Sequence, residues 1–252
     1  MDAEKKATAI AKPMETGFAI IDDPRARELV LGAFDQMGIS DFQLTKLKIP
    51  GGGSTAFMVE TLEGEVPMQE VEGVIIYLKG QQKVWWKESI DVSSSPSEPD
   101  CKSTDGKRGY GINTLDDDAE PGEHDCMKCH WNQFGSTRSG GTGRGKDCKD
   151  STHVFFFQKG NRLPTLLTAP ATSISVVNSY YMKLLDNGKA PEEVITKIGL
   201  ESVKGGGGGS YSKLTLTYGG DLEPEAATAT SELAKQLKPF LGSFDAFSDS
   251  SD

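Results

Sequence analysis

The chain is 252 residues long and 36% hydrophobic, with 29 glycines, four cysteines and a formal net charge of -10. That length holds one large domain or two small ones, and the glycine content suits a loop-rich β protein better than a helical bundle. No run of about 18 apolar residues exists and residues 1–17 lack a signal-length apolar stretch, so no membrane-spanning helix and a cytoplasmic address are expected.

The first helix opens at Asp22-Asp23-Pro24, an N-cap pair followed by proline at the first helical position, and Gly38 supplies its stop. From Phe42 the pattern turns to strands. Residues 42–50 alternate and end at Pro50-Gly51-Gly52-Gly53; residues 55–62, 71–80 and 83–91 follow. The last two flank Gly80-Gln81-Gln82 and are predicted to form a hairpin. Residues 92–152 hold all four cysteines and little apolar periodicity, so apolar burial cannot organise them and a metal is the expected organiser. Strands resume at 153–158 and 162–169 around Lys159-Gly160-Asn161. Residues 172–188 read as a helix capped by Thr172 or Ser173 and ended by Gly188. Residues 192–203 and 211–219 flank Gly205–Gly209 as a second hairpin, and 223–241 form a closing helix.

Short strands, long loops and one helix between strand groups predict a β-rich α+β fold, with an OB-like partly open barrel as the specific expectation. The expected layout is an N-terminal helical segment (1–41), an OB-like body (42–220) with a cysteine-rich insert at about 100–150, a C-terminal helix (221–242) and an acidic tail (243–252).

Three chemistries compete for residues 126–149. Cys126-Met-Lys-Cys129-His130 has the spacing of a c-type haem site, but that attachment usually occurs outside the cytoplasm and leaves Cys101 and Cys148 unused. Gly140 to Lys146 fits G-x-x-x-x-G-K, yet Asp147 stands where the magnesium-binding Ser or Thr is needed, and neither the preceding strand nor the following helix is present. Zinc uses all four cysteines. Cys126 and Cys129 reach one ion from a single turn, with Cys101 placed 24 intervening residues before and Cys148 18 after. The expected cofactor is a structural Zn(2+) on Cys101, Cys126, Cys129 and Cys148, with His124, His130 or His153 as a substitute for one cysteine. A closed site of this kind is not catalytic, and no nucleophile–base pair is visible.

Charge is unevenly spread. Residues 121–220 carry 12 Lys/Arg against 8 Asp/Glu, while 1–120 carry 13 against 22 and 221–252 carry 2 against 7. A basic middle with aromatics suits a single strand of nucleic acid, whose bases stack and whose phosphates meet cations. Candidate contacts are Trp131, Phe134, Arg138, Arg144, Lys146, Lys149, Lys159 and Arg162, with Trp85, Trp86 and Lys87 on the strand before the insert. Trp131 and Phe134 have a competing role in packing over the metal, and one of Trp85 and Trp86 is expected in the core because neighbours on a strand face opposite sides. The tail offers Phe244, Asp245, Phe247, Asp249 and Asp252 to partner proteins.

The ordered set Cys101, Cys126-x-x-Cys129-x-x-Asn132-x-Phe134-Gly135-Ser136, then Gly145-Lys146-x-Cys148-Lys149 resembles that of phage and prophage proteins without assigned function, over roughly residues 42–220. In architecture the chain resembles phage replication-type single-stranded DNA-binding proteins, though it departs from the zinc-bearing T-even type in having four cysteines and no histidine as ligands. The resemblance implies a non-enzymatic single-stranded DNA-binding protein of phage-type replication or recombination, with the tail recruiting partners. The alternatives are a zinc-ribbon adaptor acting through protein contacts, favoured by the net acidity, and an enzyme with a dispersed active site.

Overall fold

A computed structural model describes residues 16–37, 44–61, 64–88, 98–138, 145–205 and 208–244. The fold is α+β and strand-rich, with 40% of the described residues in strands and 29% in helices, around a mixed sheet. Two helices come first, α1 (Ala19–Asp22) and α2 (Pro24–Met37). The Asp23 carboxylate accepts the Arg25 N–H at 2.9 Å, and Asp22 accepts from Thr16 and Gly17, so the acidic pair fixes the entry to α2. The expected stop, Gly38, lies outside the described residues.

Four strands follow: β1 (Thr45–Leu47), β2 (Phe57–Thr61), β3 (Gly64–Met68) and β4 (Glu70–Trp85). The hairpin expected at Gly80-Gln81-Gln82 is absent. β4 is one continuous 16-residue strand. Its register against the next long strand slips between Ile75 and Tyr77 and again between Lys79 and Gln81, so Gly80 is the extra residue of a bulge. A bulge bends and twists a strand without reversing it.

The connection after β4 carries three short strands, β5 (Cys101–Ser103), β6 (Arg108–Gly111) and β7 (Gly122–Asp125). The chain then returns through β8 (Lys149–Gln158) and β9 (Pro164–Pro170), crosses α3 (Ala171–Asp186), forms the long hairpin β10 (Val194–Lys204) and β11 (Ser210–Asp221), and closes with α4 (Pro224–Ser243). α3 begins one residue before the expected caps. Its N-cap is Pro170, and Ser173 Oγ instead accepts the Leu214 N–H of β11 at 3.0 Å, which ties the helix to the hairpin.

β4 organises the sheet. One edge pairs with β8 along most of its length; the other pairs with β10 at residues 70–73 and with β5 at residues 83–85. β8 pairs with β9, and β9 pairs in parallel with β1. The path β11–β10–β4–β8–β9–β1 is not closed: among the described residues β11 pairs only with β10.

The alternation of β8 drives two cores. Phe155 and Phe157 face α1, α2 and α4, packing with Phe18, Ile20, Phe34, Leu237 and Leu241. Val154 and Phe156 face the other side, with Phe57, Ile75, Val177, Ile198 and Leu214. A continuous apolar run such as Val154–Phe157 is the signature of a strand buried on both faces. Phe244 ends the described chain and is buried, its ring edge-on to Phe155 at 5.8 Å and its carbonyl accepting from Lys79 Nζ. It is part of the core and is not displayed to partners, because α4 carries it onto the β4–β8 face. Asp245, Phe247, Asp249 and Asp252 lie outside the described residues.

Candidate functional site

The cysteine-rich connection is a module built on the end of β4. β5, β6 and β7 extend the sheet from β4 as three antiparallel strands, and the inner face of β6 carries no side chains. Gly109 and Gly111 point inward while Arg108 and Tyr110 point out. A Cβ on Gly109 would stand 3.2 Å from Cys101 Sγ and 3.3 Å from Cys126 Sγ, so the absence of a side chain there makes room for two sulfurs. Gly111 is at φ +132, with the Asp100 carbonyl where a Cβ would go. After β7, Cys126 to Cys129 make a tight turn into one turn of 3-10 helix at His130–Asn132. The chain comes back beside it: Gly135 N–H bonds Gly145 C=O at 2.9 Å and Cys148 N–H bonds Trp131 C=O at 2.9 Å.

All four cysteines line one cavity of about 20 Å³, room for a single water-sized body, together with Lys83, Trp85, His124 and Asn132. No disulfide joins them. Burial pushes the thiols of Cys101 and Cys148 up to about 12, with neighbouring cysteines adding to the effect at Cys101. His124 Nε2 lies 2.6 Å from the Gly111 carbonyl, and neither His130 nor His153 lines the cavity. The cavity's donor set fits zinc in number and softness. In the geometry present, no group of three or more His, Cys, Asp or Glu among the described residues is positioned to hold a metal ion. Convergence on one cavity is thus met, and coordination geometry is not.

Polar groups wire the module to the body. Lys83 is buried, and its Nζ lies 2.5 Å from Asp150 Oδ1 and 3.1 Å from Asn132 Oδ1. Lys146 Nζ meets the other Asp150 oxygen at 2.9 Å and the same Asn132 oxygen at 3.1 Å. Asn132 Nδ2 donates to the Cys126 carbonyl at 2.7 Å. Burial pushes the Asp150 carboxyl up, but hydrogen bonds from Lys83 and Lys146 outweigh it and hold it below the ordinary range. Asp147 behaves alike: burial opposes its charge, and Arg138 and Trp85 overcome that. Its carboxylate accepts from Trp85 Nε1 at 2.8 Å and Arg138 Nε at 2.7 Å. Ser136 Oγ accepts the Asp147 N–H at 3.0 Å and donates to the Trp131 carbonyl at 2.9 Å.

This network relocates several expected nucleic-acid contacts. Trp85 is 2% exposed. Trp131 stacks on it at 5.0 Å, and its Nε1 donates to the Asn113 carbonyl at 2.6 Å. The Arg138 guanidinium covers both rings, at 5.1 and 5.0 Å, while donating to the Trp86 and Lys87 carbonyls. A module poor in aliphatic residues takes its core from two indoles and a guanidinium, so these three groups are spent on folding. Lys87 pairs with Asp117, and Trp86 is half-buried. Arg144 lies outside the described residues.

Other expected residues do reach the surface. Phe134 is 80% exposed, with Lys146 Nζ 5.3 Å from its ring centre. Lys149 is exposed at the start of β8, its Nζ 3.3 Å from the Lys146 carbonyl. Lys159 and Arg162 are also exposed, but at the opposite end of β8 from the module, and Lys159 pairs with Glu72 at 2.7 Å. Sequence reasoning alone does not find Tyr110 and Met127, both exposed on the module. The alternation Arg108-Gly109-Tyr110-Gly111 is the signal that points to Tyr110.

No family model, curated protein or solved structure matches the chain.

Proposed function

We propose that the chain is a non-enzymatic, non-sequence-specific single-stranded DNA-binding protein, of the kind that serves phage-type replication or recombination. Its body reads as an OB-type partly open barrel. β4, β8, β9, α3, β10 and β11 follow the order of the five barrel strands and their single helix, with β4 pairing both β8 and β10. In that fold the loops between strands one and two and between strands four and five flank the bound oligonucleotide. Here the first is the cysteine module and the second is the glycine-rich tip of β10–β11. α1, α2 and α4 cover the outer face of β4 and β8, which shifts the expected contacts onto the module.

The observation that carries the reading is Phe134. An 80% exposed ring with an ammonium 5.3 Å from its centre, on a loop rich in cations, offers a base a stacking face and its phosphate a counter-charge. Tyr110, Arg108, Lys128 and Lys149 are further exposed residues of the module and its junction with β8. Structural Zn(2+) on Cys101, Cys126, Cys129 and Cys148 belongs to the same proposal; it holds the module closed and takes no part in chemistry. The test is a titration with labelled dT20, duplex DNA and single-stranded RNA, with metal content measured on the same sample. Binding of dT20 that weakens steeply between 50 and 200 mM salt, in the manner of about 0.7 ion released per phosphate contact, is expected. Absence of dT20 binding at low salt sinks the DNA reading, and absence of zinc in untagged protein sinks the metal.

The second reading is a zinc-ribbon adaptor. Charge pairing on the outer face of the module favours it: Arg108 with Glu123 at 3.0 Å and Lys128 with Asp125 at 3.8 Å. Mixed charge suits a protein surface better than a phosphate track.

A further inference from the structure

A cavity away from the cysteine module lies along the groove between α3 and β11. Its volume is about 760 Å³, within the range of recognition pockets. Val176, Leu184 and Leu216 give it an apolar floor, and Lys183, Lys189 and Lys213 stand at its rim, with no carboxylate among the described residues that line it. Two of these cations already carry a carboxylate partner, Lys189 with Asp221 at 2.5 Å and Lys213 with Glu201 at 3.5 Å, which leaves Lys183 as the rim lysine with no such ion pair among the described residues.

The wall opposite α3 is a free sheet edge. β11 pairs with β10 on one side and with no described strand on the other. The Leu214 N–H turns away from β10 and is taken by Ser173 Oγ. By the two-residue alternation of a strand, Leu216 and Tyr218 turn their backbone groups the same way, into the groove. Beyond Leu214, from Thr215 to Tyr218, the edge runs about 10 Å, enough for roughly three residues of extended chain. An edge left without a strand partner among the described residues is a template for strand addition.

We propose that the α3–β11 groove docks an extended acidic peptide of a partner protein, which adds to the sheet as a strand beside β11. Backbone hydrogen bonds to Leu216 and Tyr218 supply the affinity. The apolar floor takes alternate side chains, and the lysine rim, Lys183 above all, selects carboxylates on the others. The Tyr218 ring, with Lys189 Nζ 5.3 Å from its centre, closes one end. This site is independent of the DNA reading, since a chain that fails to bind dT20 retains the groove.

The test uses the full chain and a fluorescein-labelled eight-residue peptide of alternating Asp and Val. Saturable anisotropy change is expected with this peptide and none with the matching Lys–Val peptide. Lys183→Glu with Lys213→Glu should weaken binding at least about tenfold, since like charges then face each other across the interface. N-methylation of alternate backbone nitrogens of the peptide should abolish binding by removing the strand bonds. If the double variant loses its circular dichroism signature, Lys183→Gln with Lys213→Gln takes its place. Failure of the peptide to bind overturns the proposal, as does equal binding of the N-methylated form. Competition by dT20 at the groove, lost in the double variant, assigns the site to nucleic acid and also overturns it.

Discussion

Asp150 illustrates how few residues keep the module attached to the body. It holds two ammonium groups, one of them buried, and the Lys83–Asp150 pair has side chains only 6% and 10% exposed. Removing one partner of such a pair strands a buried charge. Asp150→Ala should therefore cost about 3–5 kcal/mol in urea unfolding followed by tryptophan fluorescence, while Lys83→Met with Asp150→Leu should recover most of that loss. A single-variant cost under about 1 kcal/mol would show that Asn132 alone supports Lys83. Phe134 is the opposite case. Its ring touches solvent on most sides, so Phe134→Ala should leave stability within about 0.5 kcal/mol of the parent. The same change should weaken dT20 binding by about 5- to 100-fold, one base-stacking contact in size. Unchanged dT20 affinity would remove the observation on which the DNA reading rests.

At the scale of elements, the β5–β6–β7 sheet depends on glycines facing the sulfurs. Gly109→Ala places a methyl 3.2 and 3.3 Å from Cys101 and Cys126, closer than the sulfurs tolerate without moving. The expected outcome is reduced zinc stoichiometry by colorimetric chelator assay with the body still folded. Full zinc occupancy in that variant would place the ion away from the Gly109 side of the cavity. β4 shows the other side of glycine use. Gly80 has open space around it and no register partner on β8, so it marks a bulge inside a long strand. In sequence, a glycine between two alternating runs reads as a turn. Both a turn and a bulge want glycine, and only the pairing of β8 across residues 73–84 distinguishes them.

For the whole molecule, α4 packs with α1 and α2 over one face of the sheet and places Phe244 in the core there. On the DNA reading, removal of residues 245–252 should strengthen dT20 binding by removing acidic charge. Phe244→Ala should cost about 3–5 kcal/mol, as for a fully buried aromatic. Equal melting temperatures for the parent and Phe244→Ala would contradict its place in the core.

The sequence by itself determined the succession of helices and strand groups outside residues 64–125, the strand-rich α+β class and the isolation of the four cysteines in one connection. These follow from local rules: periodicity, proline and glycine punctuation, and an apolar-poor stretch between two apolar ones. It also carried the block from Cys126 to Lys149, in which Asn132, Ser136 and Asp147 each take a hydrogen-bonding post. Tertiary structure alone decided which side chains are spent inside. Trp85, Trp131, Arg138 and Phe244 are residue types that suit a binding surface, and they are buried or half-buried because the module and the sheet face had no other groups with which to close. The free edge of β11 was likewise invisible in the chain, since whether a strand has one neighbour or two depends on long-range pairing and not on its own residues.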